Sequence, residues 1–318
     1  MNSSETIKWL GAVNASKCYP KTFDEINKNL PYFEVTKDVF GKYGVHGSNY
    51  IGHDNEDRMA YILEYLQKNV FPNIDKKLNV SGFYNIELHD SYTYLNNGKN
   101  YKDCLTFAKY KNDNEGILIP DPYFIGNWGN QLMYVNDSTE WVKKKSKIIF
   151  AGTTTGNRNP ILNTRIQTCI WSLNKDKCDF YITKIAQMKL DDIISTVPRF
   201  NEIYRPPVSV VDQLLYRYHL IIDGNTCRYD IFPYKTNSLV FKYKSKEMLW
   251  YYPILQNKTH HVDVDTNSIE NTYMYYENNA REVDHILYNA NTFANNMFKP
   301  IVGMQYSVAL FEQIANNK

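Results

Sequence analysis

Three groups of residues have the types and spacing that acid/base chemistry beside an anion requires. The first is Asp90, in His89-Asp90-Ser91 directly after the apolar run Gly82 to Leu88 (GFYNIEL), so a carboxylate stands where a short buried strand ends. The second is Gly152-Thr153-Thr154-Thr155-Gly156, with Arg158 two residues on, after the apolar run Ile148 to Ala151. Glycines free the backbone and hydroxyls donate, so such a turn can surround an anion before the next helix begins. It is neither a P-loop nor a GxGxxG fingerprint, and an ordinary strand-turn-helix corner has the same composition. The third is Gly224-Asn225-Thr226 with Arg228, after His219 to Ile222. A general base facing an anion site is what transfer of a group from a phosphate-activated donor needs.

Other clusters offer less. His260 and His261 precede Asp263 and Asp265 in HHVDVD, but neighbours on a strand point to opposite faces, so one ion cannot easily take both histidines. The aromatic runs Trp250 to Tyr252 and Tyr273, Tyr275, Tyr276 suit either stacking on a ligand or packing with one wet edge. The five cysteines, Cys18, Cys104, Cys169, Cys178 and Cys227, have no metal-ligand spacing and read as free thiols.

The elements that must position these residues alternate. Met59, Ile62, Leu63, Leu66 and Val70 predict a helix over 55–70, stopped by Pro72. Short strands are expected at 82–88, 104–108 and 116–119. The polar stretch Val135 to Lys147, containing WVKKKSK, reads as the connection between domains. Beyond it come a strand at 148–152, a helix over 160–172, a strand at 178–185, a helix over 209–218, a strand at 219–222 and a strand at 238–243 with Ser238 at its lip. From Ser268 the pattern is helical, broken at Pro300. Alternation of this kind favours an α/β fold with a parallel sheet, where ligands gather outside the carboxyl ends of the strands; the two glycine turns would then share one edge.

The composition excludes several classes. Of 318 residues, 43% are hydrophobic and 22% charged, the balance of one large or two ordinary folded domains rather than a disordered chain. The formal net charge of +2, from 36 basic and 34 acidic residues, is too small to make nucleic acid the expected partner. No stretch approaches the roughly 18 apolar residues of a membrane-spanning helix. The opening residues lack the apolar core of a secretion signal, so a cytoplasmic location is expected.

From Asp90 onward the chain resembles glycosyltransferase family 90. IIFAGTTTGNRNP corresponds to that family's strand and F-R-G-S-x-T-G…R turn, and VVDQLLYRYHLIIDGNT to its Q/K-Y-K-Y-L-x-x-x-D-G-N element. TNSLVFK, Glu247 followed by YYPIL, and HHV continue the series in order over roughly 230 residues. The resemblance implies two Rossmann-like domains facing across a cleft, the GT-B architecture: residues 1–140 on the acceptor side with the base, 141–290 holding a nucleotide sugar, and 291–318 packing back on the first. It also implies inverting transfer from UDP-glucose or UDP-xylose to a hydroxyl of a glycan, glycolipid or protein, with no cofactor and no metal.

Asp90 is carried over as the base because IELHDSY followed by CLTFAK matches a strand, N-V-R-D-x-P, strand pattern, although no Pro follows and His89 replaces the Arg. Gly152 to Gly156, Arg158, Gly224, Asn225, Thr226, Arg228 and Ser238 would hold the donor, and Glu247 its ribose hydroxyls. Ala151 and Thr154 stand where animal members carry Arg, so phosphate charge falls to Arg158, Arg228 or a helix N-terminus. The turn after Gly224 is shortened, which displaces Arg228. Those departures also fit a catalytically silent UDP-sugar-binding or scaffold protein. A phosphotransferase would need Mg²⁺ and a carboxylate beside the Thr/Gly turn, and the sequence offers none there.

Overall fold

The computed structural model describes the chain except at residues 1–4, 8–17, 29, 48–55, 89–102, 113–114, 123–124, 127–134, 226–230 and 318. The chain forms two compact units. One comprises Met1–Gly129, Lys246–Ile254 and Asn296–Lys318, the other Asn130–Ser245 and Leu255–Asn295.

In the first unit, β1 (Tyr32–Lys37) lies antiparallel between β2 (Tyr43–Gly47) and β3 (Gly82–Asn85). A short parallel pair joins β4 (Leu105–Thr106) to β6 (Ile117–Leu118), and β5 (Lys109–Tyr110) pairs antiparallel with β11 (Glu247–Met248). The described residues of this unit thus form no doubly wound parallel sheet, contrary to the expectation of an α/β layer. The reason is visible in β1, where Phe33 and Val35 are buried while Tyr32 and Glu34 are half-exposed, the alternation of a sheet covered on one face. The expected helix runs over Glu56–Tyr65 and widens into a π-helical turn at Leu66–Val70, burying Met59, Ile62, Leu66 and Val70. Packed with these elements is the helix Pro300–Asn316: Phe311 meets the rings of Phe71 and Tyr84 at 5.1 and 5.4 Å, and the Tyr306 hydroxyl donates to Leu118 O at 2.7 Å.

The second unit is built on β7 (Lys145–Thr153), β8 (Cys178–Lys184), β9 (Tyr216–Ile221), β10 (Leu239–Tyr243) and β12 (Val262–Val264). All five are parallel, in the order β8-β7-β9-β10-β12. Counted along the chain this is 2-1-3-4-5, a doubly wound, Rossmann-like α/β sheet whose strand order reverses between β7 and β9. Phe150, Phe180, Tyr218, Leu220 and Phe241 form a core with Ile166 and Cys169 of the helix Thr164–Ser172 and with Tyr273 and Tyr276 of the helix Ile269–Glu277.

Three local expectations are corrected here. The helix after β7 begins at Thr164 rather than 160, because the Asn163 side chain accepts from the Ile166 N–H and caps it there. The helix expected over 209–218 ends at Gln213, because Tyr216 to Tyr218 pair with β7 and with β10 instead. The stretch 135–147 is part of the second unit rather than a linker. Its Trp141 is buried and donates to Arg217 O at 3.1 Å, and its Lys144 is buried in an ion pair with Asp137. Among the described residues no helix is long and apolar enough to cross a membrane.

Candidate functional site

In an open parallel sheet the ligand crevice lies outside the carboxyl ends of the strands where the order reverses. In the second unit that place is bounded by the turns after β7 and β9, the two turns singled out by their glycines. They are fixed to each other by the Gly156 N–H, which donates to Asn225 Oδ1 at 3.1 Å. Gly156 has φ +116°, and a Cβ on it would stand 3.2 Å from Gly224 O. A Cβ on Gly224 would fall 2.3 Å from Thr155 Oγ1 and 2.8 Å from Arg165 Cζ. Both positions therefore require glycine: the first for its backbone angle, the second for close approach.

Under the two turns lies Arg165, in the first turn of the helix Thr164–Ser172 and only 8% exposed. Its Nε and Nη2 donate to Ile222 O at 3.1 and 2.8 Å, and its Nη1 to Thr153 O at 3.2 Å and to Thr155 Oγ1 at 3.0 Å. All of these partners are neutral, and among the described residues no carboxylate pairs with this guanidinium. A buried cation without a counter-charge favours an anion close by. The arrangement also orients hydroxyls. Because Arg165 occupies a lone pair of Thr155 Oγ1 and, at 3.3 Å, of Thr153 Oγ1, the hydrogens of those hydroxyls point elsewhere, toward each other across 3.0 Å or out to a ligand. Asn163 clips the loop from below, donating to Thr154 O at 3.0 Å and Asn157 O at 2.8 Å.

The remaining candidates separate. Gly152 lies within β7, next to its last residue Thr153, and its carbonyl accepts from the Thr183 hydroxyl at 3.3 Å. Thr154 is fully buried, its hydroxyl donating to Ala186 O at 2.7 Å and accepting from Ala186 N at 2.8 Å, so it ties the turn to the segment after β8 and offers a ligand nothing. Arg158 is exposed in the same turn. Asp223, the residue before Gly224 in the turn after β9, is half-buried.

Ser238 is not at the site. It precedes β10 at the amino edge of the sheet, donates to Tyr216 O at 2.7 Å and accepts from Lys144 Nζ at 2.9 Å. Glu247 is buried in β11 and belongs to the first unit, so it is no part of the unit that carries the two turns. Asp90, Thr226 and Arg228 lie outside the described residues.

His261 Nε2 is 3.1 Å from Asp263 Oδ1, and among the described residues no group of three or more potential metal ligands gathers. Of the aromatic runs, Trp250, Tyr251, Tyr273 and Tyr276 are core residues, and Tyr275 is exposed. Arg165 is the residue that sequence reasoning missed. Its signal is a cation in the first turn of a helix that follows a Gly/Thr turn, masked by the apolar neighbours Ile161, Leu162 and Ile166.

No known protein family matches the chain, and no curated protein matches it, so the resemblance to glycosyltransferase family 90 rests on the motif series alone. Among solved structures the chain is similar to that of TarM at 10% identity and a TM-score of 0.40, covering 67% of this chain and 51% of TarM. The chain thus spans about half the length of TarM, and a likeness of this extent carries no inference about activity.

Proposed function

We propose that the chain is a glycosyltransferase that moves a sugar, glucose or xylose, from a UDP-sugar to a hydroxyl of a glycan, glycolipid or protein. The observation that carries the reading is the meeting of the two glycine turns of the motif series at the switch point of the parallel sheet, above a buried Arg165 with no carboxylate partner among the described residues. The crevice there takes the donor's diphosphate. Asp90 removes the proton of the acceptor hydroxyl as its oxygen attacks the anomeric carbon on the face opposite UDP. The transition state is oxocarbenium-like and the leaving diphosphate gathers negative charge. That charge is met by the Thr153 and Thr155 hydroxyls and by the field of Arg165, joined by Arg158 and Arg228, so the reaction needs no cation.

The test is UDP release from a panel of UDP-sugars, with EDTA present, by the wild type and by Asp90→Asn. Release that survives EDTA and is lost in the variant, with UDP affinity retained, supports the proposal. Release that requires Mg²⁺ would instead make Asp223 a candidate metal ligand and remove the metal-independent mechanism. A second reading, a UDP-sugar-binding protein without turnover, is favoured by Thr154: it stands where the animal members of the resembled family carry Arg, and its side chain is buried and bonded to Ala186. That reading expects UDP binding with no release from any donor. Absence of uridine nucleotide binding would overturn both.

A further inference from the structure

At the opposite, amino edge of the same sheet the second unit carries a cleft of about 400 Å³, within the size range of small-molecule sites. One wall is a stripe of the helix Ala280–Met297, where Asp284, Leu287, Tyr288 and Asn291 recur at i, i+3, i+4 and i+7. The other wall is Glu140 and Trp141 ahead of β7 and Asn237 ahead of β10. The walls are fixed to each other. Asn291 Nδ2 donates to Thr236 O at 3.0 Å, and Asn237 Nδ2 donates to Asp137 O at 2.9 Å while its backbone N–H donates to the Asp137 carboxylate at 2.7 Å. The cleft is therefore built before any ligand arrives.

Its chemistry is one-sided. Each amide nitrogen is spent on backbone carbonyls, Asn291 on Thr236 O and Leu287 O and Asn237 on Asp137 O and Thr139 O, which settles the orientation of both amides and leaves both Oδ1 atoms as acceptors. The Asp284 carboxylate has no hydrogen bond or ion pair among the described residues, and Glu140 shares its own with Lys143 at 3.0 Å. Trp141 Nε1 is committed to Arg217 O. Beside these acceptors Tyr288 presents a ring that is 72% exposed, on a helix whose opposite face is packed in the core. A matching ligand brings many hydroxyl donors on one side and a flat C–H face on the other. Side-chain amides, carboxylates and an aromatic plate together meet a pyranose ring in that way.

We propose that this cleft is a saccharide-binding site separate from the switch-point crevice, with Tyr288 as the stacking surface and Asp284, Asn237 and Asn291 as acceptors for sugar hydroxyls. It stands independently of the UDP-sugar reading. A cationic ligand is the competing class, since a tyrosine face also attracts cations, but one of the two carboxylates is already matched by Lys143, and two of the acceptors are neutral amide oxygens that suit hydroxyl donors.

The experiment is calorimetric titration of the full chain with maltohexaose, xylohexaose and chitohexaose, and separately with spermine and with UDP, using the wild type, Tyr288→Ala, Tyr288→Phe and Asp284→Ala. Both positions are exposed, so the variants are expected to fold, and circular dichroism checks that they do. The expected result is binding of at least one hexasaccharide, weakened about tenfold or more by Tyr288→Ala and by Asp284→Ala and restored by Tyr288→Phe, with the UDP titration unchanged throughout. The proposal is overturned if none of the hexasaccharides binds, if binding is indifferent to both alanine variants, or if spermine alone binds and Asp284→Ala abolishes it. Because UDP is titrated in parallel, failure of this site and failure of the donor site are read separately.

Discussion

Gly156 donates its backbone N–H to the side-chain oxygen of Asn225 at 3.1 Å, joining turns that are 69 residues apart in sequence. The bond needs an acceptor at Asn225, not an amide. Asn225→Asp keeps the acceptor and adds a negative charge beside the diphosphate position. A unit charge about 6 Å away at an effective dielectric near 20 costs roughly 2 to 3 kcal/mol, so UDP affinity is expected to fall about 30- to 150-fold with little change in the thermal midpoint. Calorimetry with UDP and a melting curve measure the two effects, and an unchanged affinity would place the diphosphate elsewhere.

Gly224→Ala puts a Cβ where Thr155 Oγ1 and Arg165 Cζ already stand. Because Arg165 also carries the hydrogen bonds to Ile222 O, neither group can give way alone. A loss of roughly 1 to 3 kcal/mol in urea unfolding is expected, together with loss of UDP binding under conditions where the variant remains folded.

The two threonines divide between stability and binding. Thr154→Val strands the Ala186 N–H, which loses its acceptor at 2.8 Å, and is expected to cost about 1 to 3 kcal/mol while leaving UDP affinity as it was. Thr155→Val is expected to do the reverse, lowering UDP affinity severalfold with a smaller loss of stability. Paired urea titrations and UDP titrations of the two variants decide; the opposite pattern would mean that the inward and outward roles are misassigned.

Burial pushes the His219 imidazole down to about 4, from its ordinary value of 6.5. Its Nε2 faces Gln213 O at 2.9 Å, and a carbonyl only accepts, so the neutral ring carries its hydrogen on Nε2. The unfolded chain takes up a proton near pH 6.5 that the native state refuses until about pH 4. Stability from this group is therefore complete above pH 6.5, declines as the pH falls toward 4, and changes no further below that, a total of roughly 3 kcal/mol. Unfolding free energies of the wild type and His219→Gln across this window should converge toward its acid end. Titration of the His219 imidazole near pH 6.5 in the folded protein would contradict the assignment.

Both glycine turns were legible because their signals are local: a short apolar run, then glycine with hydroxyl or amide neighbours. That they adjoin was legible only as a rule for parallel sheets, since the strand order that brings β7 beside β9 is set by pairing between distant segments. Arg165 was hidden for the same reason. Its acceptor Ile222 O lies 57 residues along the chain, and nothing within the helix Thr164–Ser172 marks it apart from an exposed basic residue.

Charge misled the reading of 135–147. WVKKKSK suggests solvent, yet Lys144 is buried because Asp137, Leu214 O and the Ser238 hydroxyl take its three N–H groups. Ser238 was placed at the wrong edge although the remedy was at hand, since in a parallel sheet a residue preceding a strand cannot lie with the turns that follow one. The helical period of Val210, Leu214 and Tyr218 lost to β pairing of Tyr216 to Tyr218, a tertiary choice that favours aromatic residues in strands.

The way the chain is threaded through its two units has a consequence for its synthesis. Every segment of the second unit has been made once Asn295 is added, whereas the first unit still lacks the helix Pro300–Asn316 that packs on Phe71 and Tyr84 and whose flanking Asn317 donates to Cys18 O at 2.7 Å. Domains generally fold on the ribosome from the N-terminus onward. Here the segments that form the second unit are complete before the helix Pro300–Asn316 is made, so Phe71 and Tyr84 of the first unit meet their partner Phe311 only after the second unit has all of its strands.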